Sequence, residues 1–416
     1  MKANRGRLLL WGATLAIFIV APLLFPQSFA LTILTQIGSF IIFALSYNML
    51  LGQGGMLSFG HAVYSGLGAY IAVHALNLIG KGAFAYPVTL LPLVGGVAGL
   101  FFGLLFGYVT TKRAGTTFAL ISLGINEMVF ACVLTFPGFF GGEAGISTNR
   151  TAGQPFLGIT YGPAIQVYYL VAFWCFLSMI AMYALTQTPL GRMVNAVRDN
   201  PERAEFVGYD TQKVRYLQLA LSGFFAGVSG ALACINFEIV SAENVSALRS
   251  GGVLLAVFIG GAPFFFGPIL GAVVFILFVS ALSNLTSAWQ LYLGLFFLLM
   301  VLYAPGGMAS LIMMQVPAFR AGRLKEMLTP YLLAGLAAAV TLCGLAGLVE
   351  LLYHVSDSTI GSSFSFAWLK LDAGAFGDWL GFALVLVAGF VALRYATRFV
   401  GGRWATIQAD LRRAGA

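Results

Sequence analysis

The chain has 416 residues, of which 60% are hydrophobic and only 9% are charged. A soluble globular domain carries about 25% charged residues, so the composition excludes a soluble enzyme, and the high apolar content excludes a disordered chain. The formal net charge is +8, but 22 basic and 14 acidic residues are too few to build a nucleic-acid surface. The composition predicts a membrane protein with several spanning helices.

Apolar stretches of about 20 residues, the length of a membrane helix, recur along the whole chain. They predict an all-α polytopic membrane protein with about twelve transmembrane segments and two Gly/Pro-rich breaks. The segments are 8–25, 31–51, 59–80, 87–111, 115–136, 166–187, 214–237, 251–262, 267–284, 289–313, 327–351 and 378–396. The short pair 251–262 and 267–284 fits either two crossings or one re-entrant hairpin, and both return the chain to the same side.

The basic residues choose the orientation of these segments. With the N-terminus inside, 18 of the 22 Lys and Arg residues lie on the cytoplasmic side, and Lys81, Arg150, Arg249 and Lys370 lie outside. Because short cytoplasmic loops carry the excess of Lys and Arg, we predict that both termini are cytoplasmic. The organisation is then an N-terminal anchor helix (1–30), a core (31–316) and a C-terminal extension with two further spans and a basic tail (317–416).

Two glycine-rich stretches interrupt the apolar segments. The first is Gly52-Gln53-Gly54-Gly55-Met56-Leu57-Ser58-Phe59-Gly60-His61. Irregular backbone is tolerated in a membrane where protein buries it or where it lines a cavity, and broken helices supply transport sites. The alternative is a tight cytoplasmic turn. The second stretch contains Gly260, Gly261, Pro263, Gly267 and Pro268 and has no polar side chains. It favours a gating or packing role, and Gly54-Gly55 in the first stretch favours the same role.

Polar side chains at these breaks and within the spans are candidates for the translocation pathway, since ionisable residues in spans are expensive. The candidates are Gln53, Ser58, His61, Asn126 and Glu127. Glu127 fits either a pathway or gating role or a structural bond between helices. His61 fits either the pathway or a hydrogen-bonded packing position. The sequence shows no metal-ligand cluster, so no metal site is expected.

The cytoplasmic loop 188–213 is dense in charge and contains signals for a short helix. Asn200 is a suitable N-cap, Pro201 suits the first helical position, Glu202 suits the positive end of the helix dipole, and Gly208 offers a stop. We predict a capped helix of about two turns that docks another protein. The alternative is a helix that lies idle at the lipid surface.

The chain lacks the motifs of an enzyme. No GxxxxGK[ST] phosphate loop, HExxH or GxSxG occurs in it, so the energy for transport must come from a partner or from an ion gradient. An ion-coupled secondary transporter is therefore one rival, and a membrane enzyme is another. The secondary transporter is weakened because no chain of Asp, Glu and His threads the spans.

Several ordered motifs resemble one family. They are 48–62 (NMLLGQGGMLSFGHA), 116–127 (TTFALISLGINE) followed by Gly141-Gly142, the run from Thr188 to Gly208, and Ile259-Gly260-Gly261, Gly267-Pro268, Gly271-Ala272 and Tyr303-Ala304-Pro305-Gly306-Gly307. These stretches are similar to the LivM-type permeases of the ATP-binding cassette importers for branched-chain amino acids. The resemblance spans residues 31–312.

The resemblance implies a subunit of a bacterial inner-membrane importer for branched-chain or related neutral amino acids that works by alternating access. Permeases for urea, short amides or aromatic acids belong to the same family. The expected partners are a second homologous permease, two ABC ATPase subunits and a periplasmic substrate-binding protein; ATP-Mg would be hydrolysed by the partners, with no cofactor on this chain. The coupling loop would comprise Glu202, Arg203, Ala204, Glu205 and Gly208, in which Arg203 departs from the EAAxxxG pattern.

Overall fold

The structure is a computed structural model that describes residues 2–83, 86–152, 158–320, 322–356, 363–366 and 369–413. Helices dominate this part of the chain. They are α1 Lys2–Leu24, α2 Ser28–Asn48, α3 His61–Gly80, α4 Leu91–Thr110, α5 Gly115–Thr135, α6 Pro137–Phe140, α7 Ala164–Gln187, α8 Pro189–Asp199, α9 Pro201–Phe206, α10 Thr211–Phe237, α11 Ala247–Gly260, α12 Gly267–Ile276, α13 Trp289–Tyr303, α14 Gly307–Arg320, α15 Leu324–Ser356 and α16 Phe376–Arg413. The same part of the chain contains two antiparallel strand pairs. They are β1 (Ile146–Ser147) with β2 (Ile239–Val240), and β3 (Ser363–Phe366) with β4 (Leu369–Asp372).

Each of the twelve predicted segments coincides with a helix in the described ranges. In the part of the chain that the structure describes, nine helices are long and apolar enough to cross a membrane, and the bent pair α13 and α14 passes the same test as a tenth. The remaining two predicted segments hold shorter apolar helices, Leu9–Leu24 and Ala247–Gly260. The predicted span over 289–313 is bent by 44°, because Ala304-Pro305-Gly306 interrupts the helix.

The helices divide into two compact units, residues 1–285 with 293–310 and residues 286–292 with 311–416. In the first unit α10 lies at the centre: 89% of its apolar window is buried. Polar side chains on one face of α10 bond the backbone of the α2 segment in antiparallel order. The bonds run from Gln218 Nε2 to Met49 O (2.8 Å), from Ser222 Oγ to Ser46 O (2.7 Å) and from Ser229 Oγ to Ser39 O (2.7 Å). Such bonds hold helices together in a bilayer, where the apolar environment itself does not.

A glycine seam, Gly95 and Gly99 on α4 with Gly223 and Gly227 on α10, brings these two helices into close contact. A Cβ on Gly99 would stand 2.9 Å from the Cα of Gly227, and one on Gly227 would overlap Gly95 O. Gly68 of α3 adds a third backbone, because a Cβ there would lie 2.6 Å from the Cα of Gly227. Small residues let membrane helices pack backbone to backbone, so the seam sets the spacing of α3, α4 and α10.

In the second unit α15 and α16 form an antiparallel hairpin. Gly344 packs against Leu386, and Gly389 packs against Thr341. Arg323 joins the far ends of the two helices through its ion pair with Asp410, at 2.7 Å. Only 17% and 11% of the apolar windows of α15 and α16 are buried in the structure, as expected of helices that present most of their surface to lipid.

Candidate functional site

The coupling loop consists of two capped helices, not the single one predicted. Thr188 caps α8 by accepting from Gly191 N (3.3 Å), and Asn200 Oδ1 caps α9 by accepting from Arg203 N (2.9 Å). Gly208, with φ +93°, ends α9 in a conformation that glycine adopts without strain. The predicted cap at Asn200 and stop at Gly208 are therefore confirmed, and α8 was missed.

Only some of the predicted coupling residues face outward. Ala204 is buried in a small apolar cluster with Val194, Val197 and Val214, so it anchors α9 to α8 and α10. Glu205 accepts a hydrogen bond from Thr211 Oγ1 at 2.8 Å. Of the predicted set, Ala204 is buried, and Glu202, Arg203, Glu205 and Gly208 are exposed.

The most prominent exposed side chains of this loop were not in the predicted set. Phe206 is 91% exposed and Val207 is 71% exposed, and the two stand together at the end of α9. An exposed apolar patch is typical of a contact site for another protein or for a membrane. Phe206 and Val207 thus form an apolar knob on a small base of packed helices, α8 and α9.

At one end the first break is tied to helix α8. The chain leaves α2 through a π-helical turn, Met49–Gln53, whose carbonyl at Gly52 accepts a bond from Arg198 Nη1 of α8 (2.5 Å). Gly55 has φ +63°, and a Cβ on it would meet Arg198 Cγ at 2.8 Å. Gln53 is half-buried at the end of this turn. Arg198 therefore links helix α8 directly to the interrupted backbone.

The far end of the same break lies deep among the helices. Phe59 N donates to Ser122 Oγ at 3.0 Å, and Ala62 N donates to Ser250 Oγ at 3.0 Å. Ser122 is seven residues into α5, which is about 10 Å at 1.5 Å per residue. Ser58 and His61 are buried in this deep part, at 1% and 0% exposure. The break thus extends from the coupling helices into the interior of the helix bundle.

Asn126 and Glu127 lie on different faces of α5. Asn126 is fully buried and accepts from Ser250 Oγ at 3.2 Å, whereas Glu127 is exposed, on a face shared with Gly124, Met128 and Ala131. The structural bond between helices that was the alternative for Glu127 is not seen within the described ranges. An exposed carboxylate in the middle of a spanning helix calls for water or a partner subunit.

The second break joins α11 and α12 into an antiparallel hairpin. A Cβ on Gly260 would overlap Gly267 O, and one on Gly271 would overlap Ala256 O, so the two backbones touch. Pro268 occupies the first turn of α12, where its missing N–H costs no helical bond, and Pro263 is exposed at the tip. The close backbone contact gives these glycines a packing role in the described conformation.

Together, the apolar helices, the interrupted spans and the projecting helix pair α8 and α9 are typical of a membrane transport subunit. The family model for the permease component of branched-chain amino acid transport systems matches residues 29–305, two thirds of the chain. The chain belongs to this family, and it is a multi-pass permease of the bacterial inner membrane.

Named relatives agree with this membership. The chain is 28% identical over 290 residues to the high-affinity branched-chain amino acid transport permease LivM of Escherichia coli, covering 65% of this chain and 67% of the relative. It is 26% identical over 232 residues to the probable LivM permease of Methanocaldococcus jannaschii (48% and 65%). It is 25% identical over 223 residues to the fructose import permease FrcC of Rhizobium meliloti (49% and 59%). No solved structure matches the chain.

Proposed function

We propose that the chain is the membrane-spanning subunit of an ATP-binding cassette importer for branched-chain or related neutral amino acids, and that it works by alternating access. The family and the names of its LivM relatives support this substrate class. Charged residues make up only 9% of the chain, and most basic ones lie outside the spans. An uncharged pathway suits a zwitterion without net charge better than a strongly charged solute.

The same proposal covers topology and partners. Twelve apolar helices with both termini in the cytoplasm would keep 18 of the 22 Lys and Arg residues inside. The core 31–316 would pair with a second homologous permease, above two ATPase subunits and beneath a periplasmic substrate-binding protein. The chain would bind no nucleotide of its own, and its partners would hydrolyse ATP-Mg.

The proposed mechanism depends on the hydrogen bond from Arg198 to Gly52 O. The ATPases would grip the knob formed by Phe206 and Val207, and their closure would move α9 together with α8, because Ala204 is packed against Val194 and Val197. Arg198 would then pull on the π-helical turn Met49–Gln53. Displacement of that turn would be passed to the deep end of the break and would change which side of the membrane the pathway opens to.

A paired substitution on α8 tests this mechanism. Arg198→Gln removes the charge that holds Gly52 O, whereas Arg192→Gln removes an exposed charge on the same helix. The complete transporter is reconstituted in vesicles with its binding protein, and ATP hydrolysis and leucine uptake are measured together. We expect the Arg198→Gln transporter to take up at least about tenfold less leucine per ATP hydrolysed, because it loses a charge-assisted bond. The Arg192→Gln transporter should behave as wild type.

Two results would contradict the proposal. Equal coupling in both variants would remove Arg198 from the transmission route. Uptake against a gradient by this chain alone, without ATP, would establish the secondary transporter instead.

A further inference from the structure

Arg249 lies in the first turn of α11, with its backbone N–H bonded to Ser246 Oγ at 3.2 Å. Its side chain is half-buried, and the guanidinium carbon lies 5.7 Å from the centre of the Phe43 ring. Its Nε is buried and has no hydrogen-bond partner, and Arg249 forms no ion pair within the described ranges. Glu243, six residues earlier, is exposed and beyond ion-pair distance. A buried N–H such as that of Nε rarely stays without an acceptor.

Asn126 presents a second unused donor beside Arg249. Ser250, the next residue along α11, accepts from Ala62 N (3.0 Å), so its own proton is free to bond Asn126 Oδ1 (3.2 Å). This fixes the orientation of the amide, with its oxygen toward Ser250. Asn126 is fully buried, and its Nδ2 has no hydrogen-bond partner.

His61 presents an unused acceptor, and its ring contacts the same Phe43 ring as Arg249. Ser46 Oγ donates to Phe43 O at 2.7 Å, so the contact of 2.9 Å between Ser46 Oγ and His61 Nε2 is a bond donated by the imidazole. The proton is then on Nε2, and Nδ1 carries a lone pair that is buried without a partner. The His61 ring stacks on Phe43 with centroids 5.4 Å apart.

We propose that Arg249, Asn126 and His61 form the site in the pathway that binds the head group of an α-amino acid. The guanidinium and Asn126 Nδ2 bind the α-carboxylate, and His61 Nδ1 accepts from the α-ammonium group. A zwitterion supplies both an acceptor and a donor, so it satisfies all three orphaned groups, which neither an amine nor an acid alone does. Asn126 is eleven residues into α5, about 16 Å, near the middle of a hydrocarbon core of about 30 Å.

The site rests on the proposed function and deepens it. Only Asn126 and His61 were indicated by the sequence as pathway residues, and Arg249 was assigned to the outside loops. Its contact with the Phe43 ring and its position next to Ser250 move it to the deep end of the break. A fork of donors is also better matched to a carboxylate than a point charge would be.

The test uses the complete transporter in lipid nanodiscs and [³H]leucine as the probe. Binding is measured for the wild type, Arg249→Met, Arg249→Lys and the control Lys81→Met, which removes an exposed cation from an outside loop. We expect Arg249→Met to bind leucine about 10- to 100-fold more weakly, Arg249→Lys to lie between, and Lys81→Met to match wild type. Leucinamide lacks the carboxylate, so in wild type it should compete with [³H]leucine much less well than unlabelled leucine does. In Arg249→Met, leucinamide and unlabelled leucine should compete equally well.

Asn126→Asp keeps the proposal falsifiable if Arg249→Met does not fold. The new carboxylate would occupy the donors of Arg249, so we expect a higher melting temperature together with lost leucine binding. If both Arg249→Met and Asn126→Asp bind leucine as wild type does, the site is overturned. The unpartnered atoms of Arg249, Asn126 and His61 would then be bound by internal water only. A wild-type transporter that takes up no branched-chain amino acid with ATP would instead overturn the proposed function.

Discussion

Replacing Gly227 by Ala tests whether the glycine seam sets the spacing of the helices. The residue lies near the middle of α10, and a Cβ there would overlap the carbonyl oxygen of Gly95 on α4. The obstacle is backbone on a neighbouring helix, so no side chain can rotate out of the way. The two helices must move apart, and Gly68 of α3, which packs on the same Cα, loses contact as well.

The expected cost follows from the geometry. A separation of 0.5–1 Å forfeits roughly a quarter to a half of a dispersion contact worth about 0.1–0.2 kcal/mol. With on the order of 40 atom pairs along the seam, a number like that of one buried leucine, the loss is about 2 kcal/mol. This value lies within the range of about 1–3 kcal/mol for overpacked cores.

Thermal unfolding in detergent, followed by intrinsic fluorescence, measures this loss. A change of about 2 kcal/mol lowers the melting temperature by roughly 4–8 °C in domains of 150–250 residues. The control is Gly294→Ala on α13, where nothing lies within 4 Å of an added Cβ and helix propensity favours alanine by about 1 kcal/mol. A Gly227→Ala variant that melts with or above the control would refute the seam as the element that spaces the helices.

Three further predictions concern the coupling loop and α5. Phe206→Ser should leave the melting temperature unchanged, since the ring is 91% exposed, and should reduce co-purification of the ATPase; undiminished co-purification would contradict the docking knob. A bond from Lys213 N holds the pKa of Asp210 below its usual value. The stability that the Asp210 carboxylate contributes is therefore full above about pH 4 and is lost as the pH falls through that lower pKa. Asp210→Asn should melt at a lower temperature than wild type at pH 7 and at the same temperature as wild type in strong acid. Glu127→Gln should change leucine uptake at an unchanged melting temperature, and identical uptake kinetics would take Glu127 out of the pathway.

Most of the spans could be predicted because apolar length is a local property: in the described ranges nine helices, and a tenth if the bent pair is one span, are long and apolar enough to cross a membrane. The cap at Asn200 was predicted for the same reason, since the signal lies within four residues. The missed helix α8 also carries a local signal. Leu190, Met193, Val194 and Val197 are spaced as one face of a helix, but they are short of the length that marks a span.

The site itself could be predicted only in part, because its contacts join distant parts of the chain. Ser250 and Asn126 are 124 residues apart, and Arg198 and Gly52 are 146 apart. No pattern in the sequence distinguishes Ala204, which faces inward, from Phe206, which faces outward, since both are apolar residues of one short helix. Their directions depend on where α8 and α10 pack, which is a property of the whole fold.

The length of α10 has a consequence for how a signal crosses the bilayer. The helix has 27 residues, about 40 Å from end to end, and it is enclosed by neighbours over most of that distance. Asp210 caps one end, and Glu238 follows the other, where its carboxylate accepts from Arg150 N at 2.9 Å. A rod supported in this way transmits displacement along its axis. Under the proposed function, a movement of its Asp210 end would also move the β1–β2 strand pair beside Glu238, so both faces of the subunit would respond to the ATPases together.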